Sequence, residues 1–229
     1  MRTLLACEGV DVEVKAGDMS SSSLHLASKN GHLMVVIHLI DHGADLTAVD
    51  RDGWTALHYA CYKNHESVLL VLIHNGADVN CKDTNGVTCL MIAARNGFHK
   101  IAAILLFHNA DLDAQNLKWE TALHFAAARG HEMLVQLFMD EGISTNCISN
   151  EGYTAEDLAI FNTHGRIASM ITKFKSRQFN HIYRIRRVAP PLAIQTPLSC
   201  APKLLLPLLQ SLLNSFSCKT NYVKRRMSL

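Results

Sequence analysis

Histidines beside carboxylates are the residues in this sequence with the clearest potential for chemistry, and the chain has 13 histidines. His65-Glu66 and His131-Glu132 begin like the His-Glu-x-x-His helix of zinc peptidases, in which two histidines bind zinc and the glutamate acts as a general base. The second histidine is absent from both, since Leu69 and Val135 occupy its position. We therefore predict no zinc-peptidase centre.

Two further pairs have spacings that chemistry can use. His38 and His42 lie about one helical turn apart, but no carboxylate or third ligand follows them at metal spacing. Asp50 and Asp52 resemble a catalytic carboxylate pair, yet aspartate in this setting is typical of a turn. The G-x-S-x-G, G-x-x-x-x-G-K-[ST] and G-x-G-x-x-G motifs are all absent from the sequence. We predict no catalytic residue, no cofactor and no metal, and hence no enzyme.

The cysteines bear on the compartment. Seven of them, at positions 7, 61, 81, 89, 147, 200 and 218, form no C-x-x-C pair. The apolar run Leu4–Cys7 is too short for the core of a signal peptide. An odd cysteine count without such a signal favours reduced thiols and a cytoplasmic and/or nuclear location. No stretch has the roughly 18–20 apolar residues that a transmembrane helix needs.

The net charge of +2 conceals two regions of opposite charge. Residues 1–157 contain 10 Lys/Arg and 20 Asp/Glu, whereas residues 158–229 contain 12 Lys/Arg and neither Asp nor Glu. The basic region is interrupted by all five prolines of the chain, from Pro190 to Pro207. We expect residues 177–229 to be a mostly disordered basic tail, in which 208–216 has the apolar spacing of a short helix. That face could dock on the repeats, bind a partner groove or touch a membrane.

An internal repeat must position any functional residue. A Ser/Thr-x-Leu-His pattern, or a variant of it, begins at residues 22, 55, 88, 121 and 154, so every step is 33 residues. Gly43-Ala-Asp45, Gly76-Ala-Asp78 and Asn109-Ala-Asp111 keep the same register. The sequence therefore predicts five copies of one structural unit.

One unit can be interpreted from Thr55 onwards. Thr55 is expected to cap a first helix over about 56–63, and a second helix, apolar on most sides, follows over about 66–74. Gly76 can end that helix, and residues 78–87 have the turn chemistry of an extended finger. Because neither helix is long enough to be stable alone, stacking on the next unit must bury the apolar faces.

The 33-residue period and the T-x-L-H-x-A pattern resemble the ankyrin-repeat family. The resemblance covers about residues 22–176 and implies an all-α fold, a solenoid of stacked helix-turn-helix units with hairpin-like fingers. We expect residues 1–21 to be a partial or degenerate N-terminal repeat, because Gly9-Val-Asp11 looks like the end of one. Unit five has Glu156-Asp157 in place of Leu-His and a more polar second helix, expected over 166–175, so it should be the C-terminal cap.

The resemblance also assigns roles to single residues. It implies that the histidines of the T-x-L-H and Gly-His positions are structural, and that a protein partner lies in a concave groove of finger tips and first helices. The positions carried over to that groove are Trp54, Tyr62, Lys63, Arg95, Trp119, Arg129 and Tyr153. Aromatic anchors and a series of cations, Lys29 included, suit an acidic or extended segment. Alternatively, each tryptophan packs on the neighbouring finger, and the cations form a solvated face balanced by aspartates.

Trp119 stands where other units have Gly53, Gly86 and Gly152, so a positive φ there would strain the backbone. Asn80 resembles the site at which ankyrin repeats are hydroxylated on asparagine, the alternative being that it fixes its own turn. The function we predict is a monomeric, non-enzymatic protein-binding module or scaffold that contacts neither nucleic acid nor membrane. The alternative is a nuclear regulator whose basic tail contacts nucleic acid while the repeats bind a transcription factor.

Overall fold

The structure is a computed structural model that describes the backbone of residues 20–188 and the side chains of residues 20–178. The chain divides into two compact parts between Thr172 and Lys173. The partial repeat expected at 1–21 lies, except for its last two residues, outside the described residues. The apolar segment 208–216 and the rest of the basic tail from residue 189 onwards lie outside them as well.

Ten α-helices occur between residues 20 and 188, arranged in five consecutive pairs. We call the first helix of each pair the inner helix and the second the outer helix. The inner helices are α1 (Ser23–Lys29), α3 (Ala56–Tyr62), α5 (Cys89–Asn96), α7 (Ala122–Arg129) and α9 (Ala155–Phe161). The outer helices are α2 (Leu33–Asp41), α4 (Glu66–His74), α6 (His99–Phe107), α8 (Glu132–Asp140) and α10 (Gly165–Val188).

The helices stack in layers, as the repeat predicts. Each inner helix contacts the next inner helix from α1 to α9, and the outer helices from α2 to α8 contact one another in the same order. Fully buried alanines such as Ala60, Ala93 and Ala126 let the inner helices approach closely, while Leu72, Leu105 and other large residues fill the outer layer. The core is thus continuous across units, and the predicted ankyrin-type solenoid is confirmed.

The T-x-L-H histidines hold the units together. From here on, each finger is counted with the inner helix that follows it, so residues 78–87 belong to unit three. In unit two, His58 Nδ1 accepts a hydrogen bond from the Thr55 amide (3.2 Å), and its Nε2 donates to the carbonyl of Val87 in unit three (3.3 Å). His25 and His124 make the same pair of bonds one unit before and two units after. The structural role expected of these histidines is therefore observed.

The Gly-His histidines join the turns between helices. The His65 ring covers Gly31, where an added Cβ would lie 2.6 Å from the ring, and His131 covers Gly97 at 2.7 Å. His65 Nε2 also donates to the carbonyl of Lys29 (3.2 Å). The glycines are required for this close approach as well as for their positive φ.

The fingers extend the stack along one edge. The pairings found in residues 20–178 are isolated antiparallel bridges, Lys82 with Thr88 and Ile148 with Thr154. Successive fingers are joined by backbone bonds, from Thr84 N to Asp52 O (3.0 Å), Leu117 N to Asn85 O (2.9 Å) and Asn150 N to Lys118 O (2.9 Å). This regular ladder fixes the residues at the finger tips.

The last outer helix is longer than expected. We predicted a helix over 166–175 and a tail from residue 177, but α10 continues through Val188. No glycine or proline occurs between residue 166 and Pro190, so no helix-breaking residue ends it earlier. Residues 177–188 of the expected tail are therefore helical.

Candidate functional site

An aromatic cluster lies where the unit-two finger meets its inner helix. The Trp54 ring contacts Tyr59 (centroids 5.1 Å apart) and Tyr62 (5.4 Å), and its Nε1 donates to Asp83 of the next finger (3.3 Å). Trp54 is half-buried, whereas Tyr62 is exposed. Trp54 thus does pack on the neighbouring finger, one of the two alternatives considered for it. It also supports the exposed ring of Tyr62.

The Asp50 side chain is hydrogen-bonded to this cluster. Its buried carboxylate accepts bonds from the amides of Asp52 and Trp54, both at 2.9 Å, and from the Tyr59 hydroxyl at 2.6 Å. Burial, and next the bond to Asp50, raise the pKa of Tyr59 to about 12, so the phenol stays protonated. Asp50 is a turn-forming residue, as its sequence context suggested, and the bond from Tyr59 could not be read from the spacing.

Cations border the aromatic rings on the inner-helix side. Lys63 Nζ lies 5.2 Å from the centre of the Tyr62 ring, and Lys29 Nζ lies 5.5 Å from that of Tyr59. Such cation–π contacts hold a positive charge next to an apolar surface without neutralising it. Trp54, Tyr62 and Lys63, predicted separately from the sequence, are therefore brought together.

Arg95 and Arg129 continue the positive charge along the inner helices of units three and four, and both are exposed. The ion pairs found among residues 20–178 lie instead on the outer helices, Lys100 with Glu66 (3.6 Å) and Arg166 with Glu132 (3.3 Å). The alternative in which aspartates balance the inner cations therefore has no ion pair to support it in this region.

The inner cations alternate between two adjacent repeat positions. Lys29 and Arg95 share one position, Lys63 and Arg129 the next. Where the second position is asparagine, its amide closes the helix by donating to a carbonyl four residues earlier, as Asn30 and Asn96 do at 2.9 Å. Units one to four thus each present one cation, displaced by one residue from unit to unit, and unit five has Phe161-Asn162 at these positions.

Trp119 and Tyr153 lie on the finger side of units four and five, apart from the Trp54 cluster in the chain. The φ of Trp119 is 61°, which confirms the condition for backbone strain stated above. Its ring is half-buried and makes no aromatic stacking contact within the described part of the chain. Tyr153 is 44% exposed. Neither ring is explained by stacking on another ring.

Asn80 joins two units. Its side chain donates to the carbonyl of Asn109 (3.3 Å) and accepts from the amide of Asp111 (2.7 Å), while its own amide donates to Asp78 (2.8 Å). It is exposed. The Asn80 side chain thus joins the next unit, while the Asp78 carboxylate fixes the turn that contains Asn80. The hydroxylation of Asn80 stays a prediction.

A buried cysteine and histidine cluster was missed from the sequence. The possible ligand atoms of His58, Cys81 and Cys89 all lie within 4.8 Å of one another. The neighbouring thiol of Cys89, then burial, raise the pKa of Cys81, and burial raises the pKa of Cys89. The cysteine spacing matches no metal motif, because the finger turn rather than a short loop brings the two thiols together. Superposing the repeats would have shown them at opposite ends of one finger.

His124 occupies in unit four the position that His58 occupies in unit two. Burial lowers its pKa, partly offset by its bond to the carbonyl of Tyr153 and by Glu120. The imidazole is therefore neutral at physiological pH and suited to its structural role.

Of the helices within residues 20–188, none combines the length and apolar character needed to cross a bilayer.

Comparison with known proteins agrees with this architecture. The family model for ankyrin repeats (3 copies) matches residues 1–83, 24–116 and 90–180. A 49-residue stretch is 43% identical to palmitoyltransferase ZDHHC13 of Homo sapiens, covering 21% of this chain and 8% of that protein. A 46-residue stretch is 39% identical to palmitoyltransferase ZDHHC17 of Danio rerio, covering 20% of this chain and 7% of that protein. The matched stretches span less than a tenth of these relatives.

Proposed function

The chain belongs to the ankyrin-repeat family, whose repeats are a protein-interaction module, and we propose that it binds an acidic, extended protein segment along its inner helices and finger tips. It does so without catalysis, as a monomer. The palmitoyltransferase names of the relatives give no reason to add an activity, since the matches are short and lie in the repeats.

The observation that carries this proposal is the row of inner-helix cations without ion-pair partners in the described region. Lys63, Arg95 and Arg129 lie at the C-terminal ends of three successive inner helices, whereas the ion-paired cations of residues 20–178 belong to the outer helices. An acidic segment crossing the units would meet one cation in each. Two exposed aromatic rings, Tyr62 beside Lys63 at the start and Tyr153 at the end, supply apolar anchors for such a segment.

The compartment we propose is the cytoplasm and/or the nucleus. Cys61, Cys81 and Cys89, three of the cysteines among the described residues, are free thiols. Free thiols are typical of proteins kept in a reducing environment.

Charge reversal tests the proposal. The probes are two fluorescent 12-residue peptides of equal hydrophobic content, one rich in Glu and one rich in Lys, measured by fluorescence anisotropy. We expect the unchanged protein to prefer the acidic peptide, and Arg95→Glu with Arg129→Glu to weaken its binding at least tenfold. Raising the salt concentration should weaken binding as well, because exposed charges are screened.

The matched control places the same charge change on the outer helices. Lys100→Glu with Arg166→Glu removes two exposed ion pairs, which contribute little to stability, and should leave peptide binding unchanged. Equal loss in both double variants would show a general effect of net charge. Equal binding of the acidic and basic peptides would contradict the proposal directly.

A further inference from the structure

A set of soft ligands converges between units two and three, beneath the aromatic cluster. His58 and Cys61 lie on α3, Cys81 lies near the start of the finger that leads into α5, and Cys89 is the first residue of α5. We propose that His58, Cys81 and Cys89 form a binding site for one Zn²⁺ ion, with Cys61 as the nearest further sulfur. Mixed imidazole and thiolate ligands are the set that zinc prefers in structural sites.

The spacing of the atoms suits a shared ion. His58 Nδ1 lies 3.7 Å from Cys81 Sγ, and Nε2 lies 4.0 Å from it. A tetrahedral ion with bonds of about 2.0 Å to nitrogen and 2.3 Å to sulfur separates those two atoms by about 3.6 Å. Cys61 Sγ donates to the carbonyl of Cys89 at 3.1 Å, so a third sulfur, which would be the fourth ligand, is close by.

The environment suits a neutral complex. Two thiolates balance the charge of Zn²⁺, and each thiol releases its proton to solvent as its sulfur binds the ion. His58, Cys61 and Cys89 are fully buried, which would exclude water from the complex. Cys81 is half-buried and provides the route by which an ion enters.

Binding through Nδ1 requires His58 to release both the Thr55 amide and the Thr55 hydroxyl, which lie 3.2 Å and 2.9 Å from that nitrogen. Unit three shows that the fold tolerates this loss. Met91 occupies the position of His58 there, so the imidazole bond is absent. Helix α5 still forms, capped by the Thr88 hydroxyl, which accepts from the Met91 amide at 3.4 Å. The exchange of these two capping bonds for metal ligation is therefore compatible with the helix.

Unit four contains a natural comparison. Cys147 corresponds to Cys81 and His124 to His58, but Ala155 and Ala127 stand where Cys89 and Cys61 would be. Unit four thus has the histidine and one sulfur without the second and third thiols. A site that needs converging thiols should form between units two and three and not between units four and five.

The test is a metal titration of the full chain, reduced and kept under anaerobic conditions. Co²⁺ serves as the optical probe for tetrahedral thiolate coordination, and Zn²⁺ is then added to displace it. We expect one equivalent of Co²⁺ with thiolate charge-transfer absorption, released by Zn²⁺. Zn²⁺ should also slow alkylation of Cys81 by N-ethylmaleimide at least tenfold.

The variants use residues that the other repeats already carry. Cys89→Ala reproduces Ala122 and Cys81→Ala reproduces Ala114, so both should fold, as a thermal melt without metal would verify. Each should weaken the Co²⁺ signal at least tenfold, while Cys147→Ala should bind as the unchanged chain does. Undiminished binding by Cys81→Ala and Cys89→Ala would place the metal on other residues and overturn the proposal. Absence of the charge-transfer band in the unchanged chain would overturn it as well.

Discussion

The two tryptophans of this chain lie in the fingers of units two and four, at adjacent positions of the repeat. Their surroundings differ. Trp54 packs on Tyr59 and Tyr62 and donates to Asp83. Trp119 occupies a glycine position with a φ of 61° and has no aromatic stacking partner in the described region. The fold explains the first residue, while the second is present despite the fold.

This difference separates two reasons for an aromatic residue on a binding face. A ring that packs against several residues stabilises the fold whether or not a ligand binds there. Its presence alone therefore says little about function. A non-glycine residue held at a positive φ lowers stability by about 1–3 kcal/mol, and such strain is commonly associated with functional positions. On this argument Trp119 is the stronger candidate anchor, and Trp54 supports the exposed Tyr62.

The largest effect should follow from adding a side chain at the glycine that corresponds to Trp119 in unit two. Gly53 has a φ of 76°, and a Cβ there would lie 2.8 Å from the backbone nitrogen of Thr84. We expect Gly53→Ala to lower the free energy of unfolding by about 3 kcal/mol, from backbone strain together with a disrupted finger ladder. Urea denaturation followed by circular dichroism would measure it.

Gly152 is the matched control, because it has a φ of 88° and no atom within 4 Å of an added Cβ. Gly152→Ala should therefore show the backbone term alone, about 1 kcal/mol. If both variants lost the same stability, the contact between fingers would contribute nothing. The difference between glycine and Trp119 at this position would then be one of backbone strain alone.

A smaller loss is expected at Trp54. Trp54→Ala removes three ring contacts, including that with His58, and the bond to Asp83, and should lower the free energy of unfolding by about 2 kcal/mol, below the range for a fully buried tryptophan. Trp54→Phe keeps a ring and should lose about half of that. Chemical denaturation measures both. An unchanged stability in Trp54→Ala would mean that the cluster is only a surface arrangement.

How much of this could be predicted depended on whether a feature repeats. The helices, their caps and the inter-unit histidines recur every 33 residues, so the period placed them correctly. The extension of α10 to Val188 follows from an absence of helix breakers in the sequence beyond the last repeat, where the period gives no guidance.

The site was only partly predictable, because its members depend on contacts between units. The bond from Tyr59 to Asp50 and the convergence of Cys81 on Cys89 arise from the finger turns, which bring together residues nine and eight positions apart. The backbone strain at Trp119 could be anticipated, because tryptophan stands there at a position of the 33-residue repeat that is glycine in three other units. The half-burial of Trp54 could not, because it depends on ring orientations.

The smallest expected effect, and the one of opposite sign, is at Trp119. Trp119→Gly restores the residue that three other units carry at this position and should raise the free energy of unfolding by about 1 kcal/mol through relief of backbone strain. If the ring is a partner anchor, the same variant should weaken binding of the acidic peptide. Trp119→Asn is the matched control, because asparagine tolerates this conformation, as Asn64 and Asn109 do at φ 59° and 63°. Both variants should gain stability and lose affinity, measured by urea denaturation and fluorescence anisotropy. A loss of stability in both would show that the Trp119 ring packs for structure, and the contrast between the two tryptophans would disappear.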